Sequence, residues 1–386
     1  RRDLVFLDQR GTGGSNPLNC DLFDPADLQS YFGDYFPLAD VRKCREQLEQ
    51  KADLKLYTTQ PAMDDLDEVR AALGYDQINI YAGSYGTRAA LDYLKRYAKH
   101  ARAVVMHGVS LTSQPMPRDF PQDTERALGG ILDACAADAA CHAAFPNLRA
   151  EVKTVLERLL QGSVEVELKD PKTGAPTKVR FTRDLAAEAI RYMLYSPGAA
   201  SRIPLYVHIA AQGNYSPIAE FALSYRQRFA AGSNGNGMYL SVTCAEDLPW
   251  IKPGEGERNA AKTFLGDYRL RQQRAACELW PRASIPKSFA EPTRAQVPAL
   301  IVTGQWDPVT PPAYGDMAAK YLPNSLHLIV PHGGHGFGGL DGLDCIEKLI
   351  TEFVDRGTTR TLDTSCLKNI RRRPFPLKLP EPKKTS

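Results

Sequence analysis

Gln77-Ile78-Asn79-Ile80-Tyr81-Ala82-Gly83-Ser84-Tyr85-Gly86-Thr87 reads as a strand, a sharp turn and the first residues of a helix. Ile78 and Ile80 mark a short β-type run, and Leu91, Leu94 and Tyr97 give the following segment one apolar face. Between them stands a small-x-Ser-x-Gly pattern, the setting in which a serine becomes a nucleophile elbow. Its composition has a steric reason. Larger side chains at Ala82 and Gly86 would collide across the bend. The bend presents the Ser84 hydroxyl outward, and the helix N-terminus beside it favours negative charge. Alanine stands at 82 where glycine is usual, a mild departure. Taken alone, a serine in a glycine-rich turn is as readily only a turn.

Composition narrows the class. With 386 residues and 43% hydrophobic content, the chain has enough apolar mass for one large domain or two. Its net charge of +3 comes with no basic face dense enough for nucleic acid. No apolar run approaches the ~18 residues that span a membrane. The chain starts at Arg1-Arg2-Asp3, with neither a methionine nor a signal peptide, as a cut end, a mature form or a fragment would.

Eight cysteines stand at Cys20, Cys44, Cys135, Cys141, Cys244, Cys277, Cys345 and Cys366. None makes a CxxC knuckle and the histidines do not fall at zinc spacing, so neither a metal nor a cofactor is expected. Scattered free thiols of a cytosolic enzyme are the plain reading. The sharper one is four local disulfides, Cys20–Cys44, Cys135–Cys141, Cys244–Cys277 and Cys345–Cys366, chosen as nearest neighbours among ~105 pairings. It implies an oxidising compartment, secreted or periplasmic.

In chain order, Leu4-Val5-Phe6-Leu7 reads as a buried strand ending in Asp8-Gln9-Arg10-Gly11-Thr12-Gly13-Gly14-Ser15. The glycine spacing, the missing lysine and Asn16-Pro17 argue against a nucleotide loop. Helices are expected over Leu38 to Lys51 and over Pro61 to Leu73, the second with Leu66, Val69 and Leu73 on one face and Gly74 as its stop. After the elbow and its helix comes the strand Ala103-Val104-Val105-Met106. This alternation argues for an α/β fold, a doubly wound and mostly parallel sheet covered on both faces. Residues 1–113 form its first part.

At Gln114-Pro115-Met116-Pro117 the rhythm breaks. Residues 114–292 read as a mainly helical cap inserted after the strand near 103–106. It carries one hairpin, Val164 to Leu168 against Lys178 to Phe181, and a glycine-rich loop, Gly232 to Gly237, before a strand-like run at Tyr239 to Val242. Strands resume at Ala299-Leu300-Ile301-Val302 and Leu326-His327-Leu328-Ile329-Val330, completing the core over 293–370. A last helix carries Ile346, Leu349, Ile350 and Phe353, and 371–386 reads as a flexible tail.

A serine hydroxyl needs a base, and the base needs a carboxylate. Asp307 stands just beyond one resumed strand and His335 just beyond the next, so both should meet Ser84 at one sheet edge. The order Ser, Asp, His is that of an α/β-hydrolase. His332 is the rival base; His335 is flanked by glycines, which allow a close approach.

These residues resemble the α/β-hydrolase peptidases related to proline iminopeptidase, and more closely the secreted tripeptidyl-aminopeptidase-like (TAP-like) branch. The resemblance rests on Asp8-Gln9-Arg10-Gly11-Thr12-Gly13, Gly83-Ser84-Tyr85-Gly86-Thr87, Gly304-x-x-Asp307-Pro308-Val309-Thr310-Pro311 and Gly334-His335-Gly336, with the Cys345…Gly357…Cys366 end. It implies Ser84 as nucleophile, Asp307 as orienting acid, His335 as general base and the Tyr85 N–H as one oxyanion donor. It also implies that carboxylates of the cap hold a peptide's free amine, and Glu246 and Asp247 are the candidates. The family's His-Gly-Gly-Pro-Gly-like loop, source of a second oxyanion donor, precedes the Asp-Gln-Arg-Gly segment by tens of residues. Only seven residues precede Asp8, so an N-terminally truncated sequence is expected, weakly active or unstable by itself.

The expectation is therefore a serine aminopeptidase acting on peptides with a free N-terminus, without nucleic acid or membrane span, and with a monomer favoured. Two alternatives stand beside it: an esterase or lipase on the same scaffold, and a non-catalytic hydrolase-fold binding protein.

Overall fold

The computed structural model describes residues 2–230 and 235–380. Its strands, in chain order, are β1 (Ile78–Gly83), β2 (Ala101–His107), β3 (Val164–Lys169), β4 (Pro176–Phe181), β5 (Ala299–Gly304), β6 (Ser325–Val330), β7 (Leu340–Asp341) and β8 (Arg371–Arg372). Four of them build one parallel sheet in the order β1-β2-β5-β6. Helices α1 (Leu38–Glu49) and α2 (Thr59–Ala72) precede β1, and α3 (Tyr85–Tyr97) joins it to β2.

Strand periodicity decides what each face of the sheet meets. Val104, Met106, Ala299 and Ile301 point to one side, where Ala89, Leu91 and Leu94 of α3 and Met63 of α2 close over them. Ala103, Val105, Leu300, Val302, Leu328 and Val330 point to the other, against Ile346, Leu349 and Phe353. These three lie on the helix Asp344–Arg356. Both faces are thus buried, which is why β2 and β5 read as continuous apolar runs. The molecule has the α/β-hydrolase fold expected of the sequence.

Between β2 and β5 lies a helical layer of α4 (Phe120–Ala137), α5 (Ala139–Ala144), α6 (Leu148–Gln161), α7 (Arg183–Met193), α8 (Pro197–Ala200), α9 (Ile203–Ala211), α10 (Ser216–Ala230), α11 (Asn236–Glu246), α12 (Glu255–Ala260) and α13 (Tyr268–Leu279). The expected β3–β4 hairpin interrupts it, antiparallel with Val164 opposite Phe181. After β5 come α14 (Pro312–Ala319), β6, β7 and α15 (Asp344–Arg356), and β8 pairs antiparallel with β7. No helix among the described residues is long and apolar enough to cross a membrane.

Several local expectations are corrected. Leu4–Leu7 is not a strand, and Leu4 and Phe6 are 81% and 91% exposed. β1 stands at the sheet edge, and no strand among the described residues pairs with its outer side. Arg2 pairs instead with Asp355, and the Tyr75 hydroxyl donates to Asp3. In α2, Thr59, Ala62 and Met63 are the buried side, while Leu73 lies exposed. The run Tyr239 to Val242 belongs to α11, whose residues are buried almost all round. Of the preceding loop, residues 231–234 lie outside the described part.

The tail is likewise ordered where it begins: Arg371 and Arg372 form β8, Arg372 reaches Asp138 at 2.7 Å, and Phe375 is buried. Residues 381–386 lie outside the described part. The segment 18–57, grouped by sequence with the sheet, packs with the inserted helices. Its Leu18, Leu22, Phe32 and Phe36 share one core with Leu240, Tyr268 and Trp280.

The eight cysteines pair as Cys20–Cys44, Cys135–Cys141, Cys244–Cys277 and Cys345–Cys366. Cys244–Cys277 joins α11 to α13 across a separation of 33 residues, with both cysteines buried. Loop closure of that length stabilises by about 4 kcal/mol. The paired change Cys244→Ala/Cys277→Ala is expected to lower the unfolding free energy by about that amount, read as a fall in the denaturant midpoint. An unchanged midpoint would show that the link constrains nothing.

Candidate active site

The turn after β1 is strained as its composition requires. Ser84 has φ 53° and ψ −125°, a left-handed setting that costs a non-glycine residue about 1–3 kcal/mol. Backbone bonds hold it there. The Ser84 N–H donates to the His107 carbonyl at 2.8 Å, and the Ser84 carbonyl accepts from the Thr87 N–H at 2.9 Å and its hydroxyl at 2.6 Å. The Thr87 hydroxyl in turn accepts from the Ser110 N–H at 2.7 Å, tying the elbow to the loop after β2.

β5 ends in Gly304 and carries Asp307 on the turn that follows; β6 ends in Val330 and carries His335 five residues on. The structure brings these two to Ser84. His335 Nε2 lies 2.9 Å from Ser84 Oγ, and His335 Nδ1 lies 2.9 Å from Asp307 Oδ2. Asp307 is fully buried. Its Oδ1 accepts from the Val309 N–H at 2.9 Å and the Thr310 N–H at 2.8 Å, and its Oδ2 from the Thr310 hydroxyl at 2.8 Å. Burial works against its charge, but His335 and these donors outweigh it and hold the carboxyl below its ordinary value. With an ionised Asp307, Nδ1 carries the proton and Nε2 is left to accept from Ser84.

Close approach accounts for two of the glycines. A Cβ on Gly108, which has φ +64°, would sit 2.8 Å from Thr310 Oγ1 and 3.2 Å from the His335 ring. On Gly334 it would meet the Leu194 carbonyl at 2.4 Å. The glycine before His335 therefore lets its loop pack on cap backbone. There the Gly336 N–H donates to the Tyr195 carbonyl at 2.7 Å, and the Tyr195 ring stands edge-on to His335 at 5.1 Å. The rival His332 is turned away, its ring against Trp306 and its N–H on Gln305.

Tyr85 opens α3, so its N–H has no carbonyl within the helix to bond and is free in direction. Its side chain is partly buried, with the hydroxyl 3.1 Å from Gln9 Nε2 and 2.9 Å from Thr59 Oγ1. The Asp8-Gln9-Arg10-Gly11 segment is accordingly a buttress. Gln9 holds Tyr85, Arg10 Nε donates to Asp65 of α2 at 2.6 Å, and Asp8 accepts from the Gly14 N–H at 2.8 Å.

Glu246 and Asp247 are not brought to the cleft as amine ligands. Both are shut off from solvent, at 1% and 0% exposure. Glu246 accepts from the Thr59 N–H at 2.6 Å and hydroxyl at 2.8 Å; Asp247 accepts from Arg88 at 2.8 Å and the Met116 N–H at 2.9 Å. An incoming ammonium would have to displace Thr59 or Arg88. Sequence reasoning passed over Thr59, Arg88 and Thr310. Only Thr310 left a signal, its place three residues after Asp307 inside a quoted signature.

Residues 262–366 match the family described as TAP-like protein. The chain is 25% identical over 323 residues to serine protease Hip1 of Mycobacterium tuberculosis, covering 78% of this chain and 60% of Hip1. It thus spans less than two thirds of Hip1's length. It is 26% identical over 400 residues to a tripeptidyl aminopeptidase of Streptomyces lividans, covering 96% of this chain and 72% of that protein. Among solved structures it matches the meta-cleavage product hydrolase CumD of Pseudomonas fluorescens with a TM-score of 0.35 at 10% identity, over 80% and 74% of the two chains.

Proposed function

We propose that this chain, an α/β-hydrolase fold whose residues 262–366 match the TAP-like family, is a serine exopeptidase releasing residues or short peptides from peptide N-termini. The observation that carries the reading is the unbroken line Ser84–His335–Asp307, with both contacts at 2.9 Å. The similarity to a serine protease and a tripeptidyl aminopeptidase supports peptides as the substrate class. Four disulfides support work in an oxidising compartment, secreted or periplasmic.

In this reading Ser84 Oγ attacks the substrate carbonyl while His335 Nε2 takes its proton. Buried, ionised Asp307 stabilises the resulting imidazolium without itself becoming protonated. The oxyanion forms beside the Tyr85 N–H at the start of α3, where donor and helix dipole both favour negative charge. His335 then gives its proton to the departing amine, the C–N bond breaks, and Ser84 is left acylated. Water, deprotonated by His335, releases the acyl group and restores the hydroxyl.

The test profiles the full chain on tripeptidyl and aminoacyl amides, their N-blocked counterparts and simple esters, with Ser84→Ala alongside. The expected result is kcat/KM at least tenfold higher for free-amine amides than for blocked ones, and loss of activity and fluorophosphonate labelling in Ser84→Ala. Faster turnover of simple esters than of any amide would move the reading to an esterase.

A further inference from the structure

α11 ends on two acids that the proposed chemistry leaves unused. They grip the first turn of α3 at two points. Asp247 Oδ1 accepts from Arg88 Nη2 at 2.8 Å, and Glu246 reaches Tyr85 through Thr59. Tyr85 and Arg88 are three residues apart and so share a face of the helix. Two anchors on one face fix both the tilt and the rotation of that turn.

The hydrogen bonds also have a direction. Gln9 Nε2 can only donate to the Tyr85 oxygen, and the Thr59 hydroxyl gives its hydrogen to Glu246 Oε2. The Tyr85 O–H is therefore the donor in its 2.9 Å contact with Thr59. Every donor points toward Glu246, from Gln9 through Tyr85 and Thr59, and the Thr59 N–H adds a second bond at 2.6 Å. A chain aligned this way is cooperative, and it passes through Tyr85, the residue next to Ser84.

Alignment matters here more than at an ordinary helix start. An oxyanion donor works only when it is 2.7–3.1 Å from where the oxyanion forms. We propose that Glu246 is a positioning residue: through Thr59 and the Tyr85 hydroxyl it fixes the first turn of α3 and aims the Tyr85 N–H at the oxyanion. This rests on the serine-hydrolase reading above. Asp247 holds the same turn through Arg88, and neither acid touches substrate.

The variants are Tyr85→Phe, Thr59→Val, Glu246→Ala and Glu246→Gln in the full chain. Each is assayed for fluorophosphonate labelling rate, for kcat and KM on N-free and N-blocked substrates, and for melting temperature. Tyr85→Phe removes one oxygen and leaves the Arg88–Asp247 pair whole, so it serves even where Glu246→Ala does not fold. Folded Tyr85→Phe and Thr59→Val are expected to lose about tenfold in labelling rate and in kcat on both substrate classes, with KM within about twofold. Glu246→Gln keeps an amide oxygen for the Thr59 N–H but turns an NH₂ toward the Thr59 hydroxyl and reverses the chain, so it is expected to recover only part of what Glu246→Ala loses. Full labelling rates in folded Tyr85→Phe and Thr59→Val would overturn the inference alone. So would a rise in KM confined to N-free substrates, which would return Glu246 to the amine. A wild-type chain that neither labels nor turns over would remove the serine-hydrolase reading and this inference with it.

Discussion

Asp307→Asn is expected to lower kcat by about 10⁴ while KM and melting temperature hardly move. The reason lies in which oxygen is already taken. Oδ1 accepts two backbone N–H groups, from Val309 and Thr310, and these do not rearrange without moving the turn after β5. An asparagine must therefore place its amide oxygen there and turn its NH₂ toward Thr310 Oγ1 and His335 Nδ1. An NH₂ donates, so Nδ1 becomes an acceptor and the ring proton moves to Nε2. That nitrogen, 2.9 Å from Ser84 Oγ, then has no lone pair for the serine proton. The hydrogen-bond count is kept, which is why stability should survive while turnover does not. Steady-state kinetics beside thermal melting decides it. A loss below about tenfold would mean that Asp307 does not set the tautomer.

The parts of the site that depend on local order were legible in the sequence. Ser84, Asp307 and His335 each follow a short apolar run, and parallel strands bring their C-terminal ends to one edge. The turn glycines told where backbone had to bend or come close. What was not legible depends on partners far along the chain. Glu246 and Asp247 look like a solvated acidic turn until Arg88, on the elbow helix, is seen to lie against them with a side-chain exposure of 1%. Tyr239-Leu240-Ser241-Val242 has the β-branched and aromatic content of a strand. Packing overrode that local preference: α11 is buried on nearly every side, and periodicity cannot separate a buried helix from a buried strand. Leu4–Leu7 shows the reverse case, a strand-like run that pairs with no ladder although β1 leaves an edge open. The tail's arginines suggest a solvated end, yet Arg371 and Arg372 form β8 and Arg372 covers Phe375 at 4.0 Å.

Arg88→Met is expected to destabilise the chain by about 3–5 kcal/mol, a fall of roughly 4–6 °C in Tm. Arg88 is buried on α3 between two carboxylates, 2.8 Å from Asp247 and 3.8 Å from Glu246. Removing the cation leaves both acids in a water-free site with only neutral donors. The penalty should depend on pH, and Glu246 gives the sign. Burial pushes its carboxyl up from 4.5 to about 7, with Arg88 and the Thr59 donors pulling the other way. Between those values the folded chain keeps a proton that the unfolded chain has lost. The stability tied to this group is therefore whole below 4.5 and drains away as pH rises through about 7. Without Arg88 the carboxyl is driven higher still, and the drain continues upward in pH. The Tm gap between wild type and Arg88→Met should therefore stay level near pH 5–6 and widen from about pH 7 to about pH 8. Glu246→Gln, which has no proton to lose, should narrow it again. A gap that stays constant across that range would mean that Arg88 stabilises the elbow helix by packing alone, and that its charge is not what keeps the two acids inside.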